Sequence, residues 1–92
     1  MSKSSIGKKY PAQTYAAISE NLRLLRSNKG ISRNIAAYHA MVSTATLLKL
    51  ENKRCATVTV WRLMEVCAYY RVEPHTVLIK GYYANPRNLP KQ

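Results

Sequence analysis

The side chains of this chain that could do chemistry are mainly cations. Among its 92 residues, 15 are Lys or Arg and only four are acidic, so the formal net charge is +11. Such an excess is typical of a protein that binds a polyanion, either a nucleic acid or an anionic membrane surface. The four carboxylates are scattered: Glu20, Glu51, Glu65 and Glu73. Since no carboxylate pair or nucleophile–base pair can be recognised, the sequence favours a binding protein over an enzyme with catalytic residues.

Cysteine and histidine form no recognisable metal-binding motif. Cys55 and Cys67 lie 12 residues apart, and neither His39 nor His75 stands at zinc-finger spacing from them. We therefore expect two free thiols, as in a reducing cytosol, and neither a bound metal nor another cofactor.

The sequence contains no recognisable membrane or export signal. Its N-terminus is basic, but the apolar stretch of a signal peptide does not follow. No run approaches the ~18 consecutive apolar residues that a membrane span needs. We expect a cytoplasmic protein without a membrane partner.

The elements that position the polar side chains are predicted by the spacing of the apolar residues. Ile18, Leu22 and Leu25 recur at helical spacing, and Gly30 follows as the favoured residue just beyond a helix end. The predicted helices cover about residues 14–29, 32–40, 43–51 and 59–70, with a short fifth helix from Glu73. The sequence therefore predicts an all-α domain.

The second and third predicted helices follow each other closely. Ser32 and Ser43 are their N-cap candidates, and only about two residues, Met41 and Val42, separate the helices. Such a short connection predicts a steep crossing of the pair instead of a side-by-side arrangement.

Both ends of the chain lack helical periodicity. Residues 1–13 are polar and basic and are predicted to form a flexible arm. The helical domain is predicted to cover residues 14–80, and residues 81–92 are predicted to form an irregular C-terminal tail.

Four motifs follow one another along these helices. They are Leu22-Arg23-x-Leu25-Arg26-x-x-x-Gly30-Ile31-Ser32, Ser32-Arg33-x-x-Ala36-Ala37, Val42-Ser43-x-x-Thr46-Leu47-x-x-Leu50-Glu51 and Leu63-x-x-Val66-Cys67-x-x-Tyr70-x-Val72. In this order and spacing they resemble the lambda-repressor-like helix-turn-helix family of Cro and phage repressors (XRE type). The resemblance covers about residues 18–79. It implies a compact five-helix domain with a basic N-terminal arm and an irregular C-terminal tail.

The resemblance also implies which residues meet DNA. In this family the third helix lies in the major groove, and the second crosses the DNA backbone. The implied base-reading residues are Thr44, Ala45, Thr46 and Lys49. The implied phosphate contacts are Arg33, Ser43, Asn52, Lys53 and Arg54, with Lys3, Lys8 and Lys9 from the arm. The resemblance also implies that Arg33 supports the third helix. The chemistry suits these roles, because Lys donates to guanine, hydroxyls bond to bases and methyl groups contact thymine.

The resemblance further implies a structural ion pair. This sequence also departs from the family pattern at three positions. Arg26 and Glu51 match a partly buried pair that joins the first and third helices. Met41 stands where the family usually has Gly, so the turn needs either a strained left-handed residue or a different geometry. Lys53 also stands where Gly is frequent. Leu48 replaces a commonly polar residue, so it is either partly exposed or in contact with a partner.

The function that this resemblance implies is sequence-specific binding of double-stranded DNA. The simplest form is a phage, plasmid or bacterial repressor that binds an inverted repeat as a homodimer and is nucleoid-associated when DNA-bound. One alternative is an antitoxin that also binds a toxin through Leu48, Trp61 or the Tyr82–Tyr83 surface. Another is a nonspecific basic nucleic-acid-binding protein. Trp61 is expected either in the peripheral core or at the dimer contact.

Overall fold

The computed structural model describes residues 4–91, and the regular structure of these residues is helical apart from one isolated bridge between Ser5 and Thr59. The α-helices are α1 (Ile6–Lys9), α2 (Tyr15–Lys29), α3 (Arg33–Ala40), α4 (Thr44–Glu51) and α5 (Val60–Tyr70). Short 3-10 turns cover Ala12–Thr14, Cys55–Thr57, Pro74–Leu78, Tyr82–Ala84 and Pro86–Asn88. The all-α class predicted from the sequence is confirmed for the described residues.

The first predicted helix, α2, ends as its sequence predicts but begins without the predicted cap. Gly30 has a left-handed φ of 67°, and its N–H donates to the carbonyls of Arg26 and Ser27 at 3.1 and 3.0 Å. Thr14 precedes the helix, but its hydroxyl donates to the Pro11 carbonyl at 2.7 Å and does not cap α2. The helix therefore starts at the predicted place by continuing the 3-10 turn before it.

The next three helices begin with side-chain caps. Oγ of Ser32 accepts from the N–H of Ile35 at 3.2 Å, and Oγ of Ser43 accepts from that of Thr46 at 3.0 Å. Thr59 caps α5 in the same way. Each bond satisfies an N–H that the first helical turn leaves without an intrahelical partner, which is why these starts could be predicted.

The core lies between α2 and the helices that follow it. α2 packs against α4 and the C-terminal turns, and α3 packs against both α4 and α5. Alanines on α3 let the neighbouring helices approach closely. The core includes Ile18, Leu22 and Leu25 of α2, Ala36, Ala37 and Ala40 of α3, Leu47 and Leu50 of α4, and Leu63, Val66 and Cys67 of α5. Burial of this apolar surface fixes α4 so that Thr44, Ala45, Leu48 and Lys49 face solvent.

The predicted fifth helix is instead a 3-10 turn, Pro74–Leu78. The side-chain nitrogen of the buried Asn21 donates to the carbonyls of Val77 and Ile79, both at 2.9 Å. The Val77 carbonyl is therefore bonded to α2, and the Ile79 carbonyl is shared between Asn21 and the N–H of Tyr82, which lies 3.1 Å away in an i+3 turn. Oδ1 of Asn21 also accepts from the N–H of Tyr83 at 3.0 Å, so one α2 side chain holds the C-terminal segment.

The N-terminal segment is packed against the domain in its described part, so the prediction of a flexible arm is corrected there. Ile6 is fully buried, and its N–H donates to the Val58 carbonyl at 2.8 Å. The N–H of Val60 donates to the Ser4 carbonyl, also at 2.8 Å. Burial of Ile6 and these two bonds offset the entropy lost by ordering the segment. The predicted contact residue Lys3 lies outside the described residues.

The C-terminal segment is also tied to the domain, although it was predicted to be irregular. The hydroxyls of Thr76 and Tyr83 lie 2.6 Å apart, and the side chain of Asn28 on α2 donates to the Pro90 carbonyl at 3.2 Å. Tyr83 is buried, so the segment contributes to the core. Within residues 4–91, no helix is both long and apolar enough to cross a membrane.

Candidate nucleic-acid interface

The side of α4 that faces away from the core carries the residues implied to read bases. Thr44, Ala45 and Lys49 are exposed, and Thr46 is half-buried. An open groove of about 480 Å³ runs beside them. Its lining residues are Ala45, Leu48, Lys49, Asn52 and Arg54. The groove therefore brings together two of the four base-reading candidates, two of the phosphate candidates and Leu48, and none of its lining residues is acidic.

The start of α4 uses its own hydroxyls for capping. Oγ of Ser43 accepts from the N–H of Thr46 and donates to Oγ1 of Thr46 at 2.8 Å. Ser43 therefore has no hydrogen left to donate to a phosphate oxygen from its hydroxyl. Thr46 accepts this bond, so its own hydroxyl hydrogen can still be donated to a ligand. Among the phosphate candidates, the geometry thus favours Ser43 least.

The end of α4 is held by a buried carboxylate. Glu51 is fully buried, with Oε2 2.9 Å from Nε of Arg26 and Oε1 3.0 Å from Nη2 of the same guanidinium. This two-bond arrangement confirms the predicted ion pair. The hydrogen bonds to Glu51 raise the pKa of Arg26 above its usual range, against the opposing effect of burial. The ion pair therefore joins α2 to the end of α4.

Arg33 contacts the end of α4, as the support of the third helix implied by the resemblance requires. Its Nε lies 3.2 Å from Oε1 of Glu51, so one carboxylate binds the guanidinium groups of two helices. The Arg33 side chain remains 34% exposed, which leaves part of the guanidinium accessible to a ligand. The structure thus joins Arg33 to the ion pair of Arg26, whereas its implied phosphate contact remains a prediction.

Two further residues of α2 support the same end of α4 and were missed in the sequence. Nη1 of Arg23 donates to the Glu51 carbonyl at 2.7 Å. The hydroxyl of Ser19 donates to the Leu50 carbonyl at 2.8 Å and accepts from the N–H of Lys53 at 2.7 Å. A signal was present, because positions 19, 23 and 26 recur at the i, i+4, i+7 spacing of one helix face.

The loop after α4 keeps its polar side chains in solvent. Asn52, Lys53 and Arg54 are all exposed, and the Arg54 N–H donates to the Lys49 carbonyl at 3.0 Å. Lys53 has a φ of 62°, the left-handed conformation expected where a glycine is replaced. Met41, at the turn before α4, has a φ of 64°, so of the two predicted alternatives the left-handed residue is confirmed.

The packed N-terminal segment places two lysines near this loop. α1 lies against the Cys55–Thr57 turn, and a Cβ added to Gly7 would come within 2.9 Å of the Ala56 carbonyl oxygen. Lys8 follows Gly7 directly and is exposed, as is Lys9. Summing standard bond lengths from Lys8 to Gly7, across this contact to Ala56 and back along the chain to Arg54 gives an upper limit of about 18 Å between the Cα atoms of Lys8 and Arg54. Both lysines are therefore carried by a segment that packs against the turn following the loop.

The cysteines and acids provide no alternative site among the described residues. Cys55 and Cys67 are buried free thiols, and burial raises the pKa of Cys67 to about 12, which disfavours the reactive thiolate. Within residues 4–91, no group of three His, Cys, Asp or Glu side chains could hold a metal ion. The chemistry that can be located is therefore that of exposed cations and hydroxyls around α4.

Comparison with known proteins gives no family for this chain. No protein-family model matches it, and neither a curated protein nor a solved structure does.

Proposed function

We propose that the chain is a sequence-specific double-stranded DNA-binding regulator of the lambda-repressor-like helix-turn-helix type. In this proposal α3 and α4 form the helix-turn-helix unit, and the exposed side of α4 enters the major groove. The protein acts as a repressor by occupying an inverted-repeat operator as a homodimer. The net charge of +11 gives the protein its general attraction for DNA.

The observation that carries the proposal is the composition and continuity of the α4 surface. Thr44, Ala45 and Lys49 are exposed on one helix, and the groove beside them continues to Asn52 and Arg54. A short exposed helix with mixed hydroxyl, methyl and ammonium groups suits base edges, which present donors, acceptors and the thymine methyl. A purely nonspecific binder would need only the cations.

The proposed contacts divide into two sets with different effects on binding. Lys49, Thr44, Ala45 and Thr46 read bases. Arg33, Asn52, Lys53, Arg54, Lys8 and Lys9 contact phosphates, and Lys3 extends the phosphate set from outside the described residues. Phosphate contacts fix position and affinity for any sequence, whereas base contacts distinguish one sequence from another.

The experiment that tests the proposal is selection of bound sequences from random duplex DNA at physiological salt. We expect a palindromic motif with half-sites about one DNA turn apart. Lys49→Ala and Thr44→Ala should then relax the base preference. Arg54→Ala should weaken binding to all sequences alike and lower the salt dependence by about one ion. Arg87→Ala, which removes an exposed charge from the C-terminal segment, is the matched control and should leave base preference unchanged.

Two results would contradict the proposal. If no sequence were enriched, and random duplex or structured RNA bound as tightly, the protein would be a nonspecific basic nucleic-acid-binding protein. If Lys49→Ala and Arg54→Ala reduced affinity equally across all sequences, the division between base-reading and phosphate-binding residues would be wrong.

A further inference from the structure

The outward side of α5 carries apolar residues that the rest of residues 4–91 covers only in part. Trp61 is 39% exposed and Met64 is 41% exposed. Ala68 is also exposed, and the three positions share one helix face at i, i+3 and i+7 spacing. The opposite side of α5 is in the core through Leu63 and Val66, among others. The helix is thus apolar on two sides, and among the described residues only one of these sides is fully buried.

The charges on α5 balance each other. The only charged residues between positions 60 and 70 are Arg62 and Glu65, and Nη1 of Arg62 lies 2.7 Å from Oε1 of Glu65. In a chain of net charge +11, most approaches between two copies are opposed by repulsion. A face with one positive and one negative group avoids that repulsion and can pair with itself.

We propose that this α5 face is the interface between two copies of the chain, with the two α5 helices antiparallel across a two-fold axis between Met64 and Glu65. In this arrangement Trp61 lies over Ala68 of the partner subunit, so a large side chain faces a small one twice. In this arrangement Arg62 lies two residues along the helix from the position directly opposite Glu65 of the partner subunit. At 1.5 Å per residue, the offset along the helix axis is about 3 Å. An Arg side chain spans that offset and makes two symmetric ion pairs.

This interface would form the homodimer of the proposed function. It also predicts that the protein has the molar mass of a dimer in the absence of DNA, which can be measured separately. The occupant is a second copy and not a foreign protein, because size and charge are complementary under a two-fold rotation. Residue i meets residue j, and residue j meets residue i, as an interface with two-fold symmetry requires.

The first test measures the molar mass of the DNA-free protein by sedimentation equilibrium over a range of concentrations. We expect the wild type to reach the mass of a dimer, and Trp61→Ala to raise the dissociation constant by about tenfold or more. Ile79→Ala is the matched control, because Ile79 is 47% exposed outside α5. It should leave the dissociation constant unchanged. Circular dichroism of each variant checks that the fold is retained.

The second test uses charge reversal. In Arg62→Glu both α5 charges become negative, and in Glu65→Arg both become positive. Each variant alone should be monomeric under conditions where the wild type dimerises, because like charges then face each other. Mixing the two variants should restore a dimer that contains one chain of each kind. A purely intrahelical role of the Arg62–Glu65 pair cannot produce such selective pairing.

A wild type that stays monomeric at every concentration would overturn the inference, as would a Trp61→Ala variant that dimerises as well as the wild type. A mixture of the two charge variants that forms no heterodimer would overturn the antiparallel arrangement. If a monomeric protein still selected a defined DNA sequence, the α5 interface would be wrong while the proposed DNA-binding function would stand. If the dimer formed and no DNA sequence were selected, the reverse would hold.

Discussion

The two ends of α4 differ in what their side chains contact. At its start, Ser43 and Thr46 bond only to each other, and Thr44 and Ala45 face solvent. At its end, Glu51 is fully buried in contact with other helices. The helix is therefore fixed from its C-terminal end, which leaves the N-terminal side chains free to bind a ligand.

The anchored end is built mainly by one face of α2. Ser19 and Arg23 bond to carbonyls at the end of α4, and Arg26 binds the Glu51 carboxylate. Arg33 of α3 completes the arrangement. If α4 places side chains on base edges, as proposed, it has to be held rigidly by groups that do not themselves touch the ligand, and this end provides such groups.

Breaking the anchor at its centre should give the largest effect. Glu51→Ala removes the buried carboxylate and leaves the guanidinium groups of Arg26 and Arg33 without their partner. We expect the free energy of unfolding to fall by about 3–5 kcal/mol, because a partly buried charge is left uncompensated. Chemical denaturation measures this change.

The matched control is Glu65→Ala, which breaks the more exposed ion pair with Arg62 and is compared at a concentration where the chain is monomeric. Such pairs contribute up to about 1 kcal/mol. If Glu51→Ala also cost less than about 1 kcal/mol, the two ends of α4 would not differ in the way described.

A smaller effect is expected from the neutral part of the anchor. Ser19→Ala removes the hydroxyl that donates to the Leu50 carbonyl and accepts from the Lys53 N–H. Leaving these backbone groups unpaired should cost about 1–3 kcal/mol. Denaturation again provides the measurement, with Ser27→Ala at an exposed α2 position as the control. Equal stability of the two variants would show that Ser19 does not hold α4.

The sequence was most informative where one local rule decided the structure. Ser32 and Ser43 cap helices, and Gly30 ends one, because each acts on backbone groups of its own neighbourhood. The left-handed Met41 was one of two alternatives that the resemblance left open, because the family usually has Gly there. The Arg26–Glu51 pair was inferred from resemblance alone, since nothing local indicates a partner 25 residues away.

The sequence was least informative where distant groups compete for the same atoms. The segment after Pro74 has helical spacing, but Asn21 takes its carbonyls from a distance of 56 residues along the chain. The basic N-terminus suggested an arm because its charges outnumber its single large aliphatic residue, Ile6. That one buried side chain nevertheless docks the segment. The predictable part of the candidate site was therefore its exposed residues, the Arg26–Glu51 pair and the support from Arg33. The bonds of Ser19 and Arg23 to the end of α4 could not be predicted.

The entry into α4 offers a stabilising change. Met41 is strained at a φ of 64°, and its side chain is 78% exposed, so little packing is lost by removing it. Met41→Gly should raise the free energy of unfolding by about 1 kcal/mol through relief of that strain. Met41→Ala is the control, because it keeps the Cβ and should bring no gain. A gain with alanine, or a loss with glycine, would show that the turn before α4 is not strained in this way.

The smallest effect concerns a buried hydroxyl near the anchored end of α4. Oη of Tyr70 has no hydrogen-bond partner among the described residues, and burial, with the charge of Glu51 as a second cause, raises the pKa of Tyr70. Tyr70→Phe should therefore be neutral or stabilising by up to about 1 kcal/mol at pH 7. Tyr38→Phe, at an 80% exposed position, should leave the stability at pH 7 unchanged.

The same variant tests the sign of the pH dependence. Because the folded protein keeps Tyr70 protonated to higher pH than the unfolded chain does, the stability it contributes is present below about pH 10 and is lost as the pH rises further. Tyr70→Phe should lose less stability in that range, and Cys67, with its pKa of about 12, accounts for part of the loss that remains. Denaturation midpoints at several alkaline pH values make the measurement. The same pH dependence of the midpoint in the wild type and in Tyr70→Phe would show that ionisation of Tyr70 does not weaken the anchored end of α4. The difference between the two ends of α4 would then rest on the arginines and Ser19 alone.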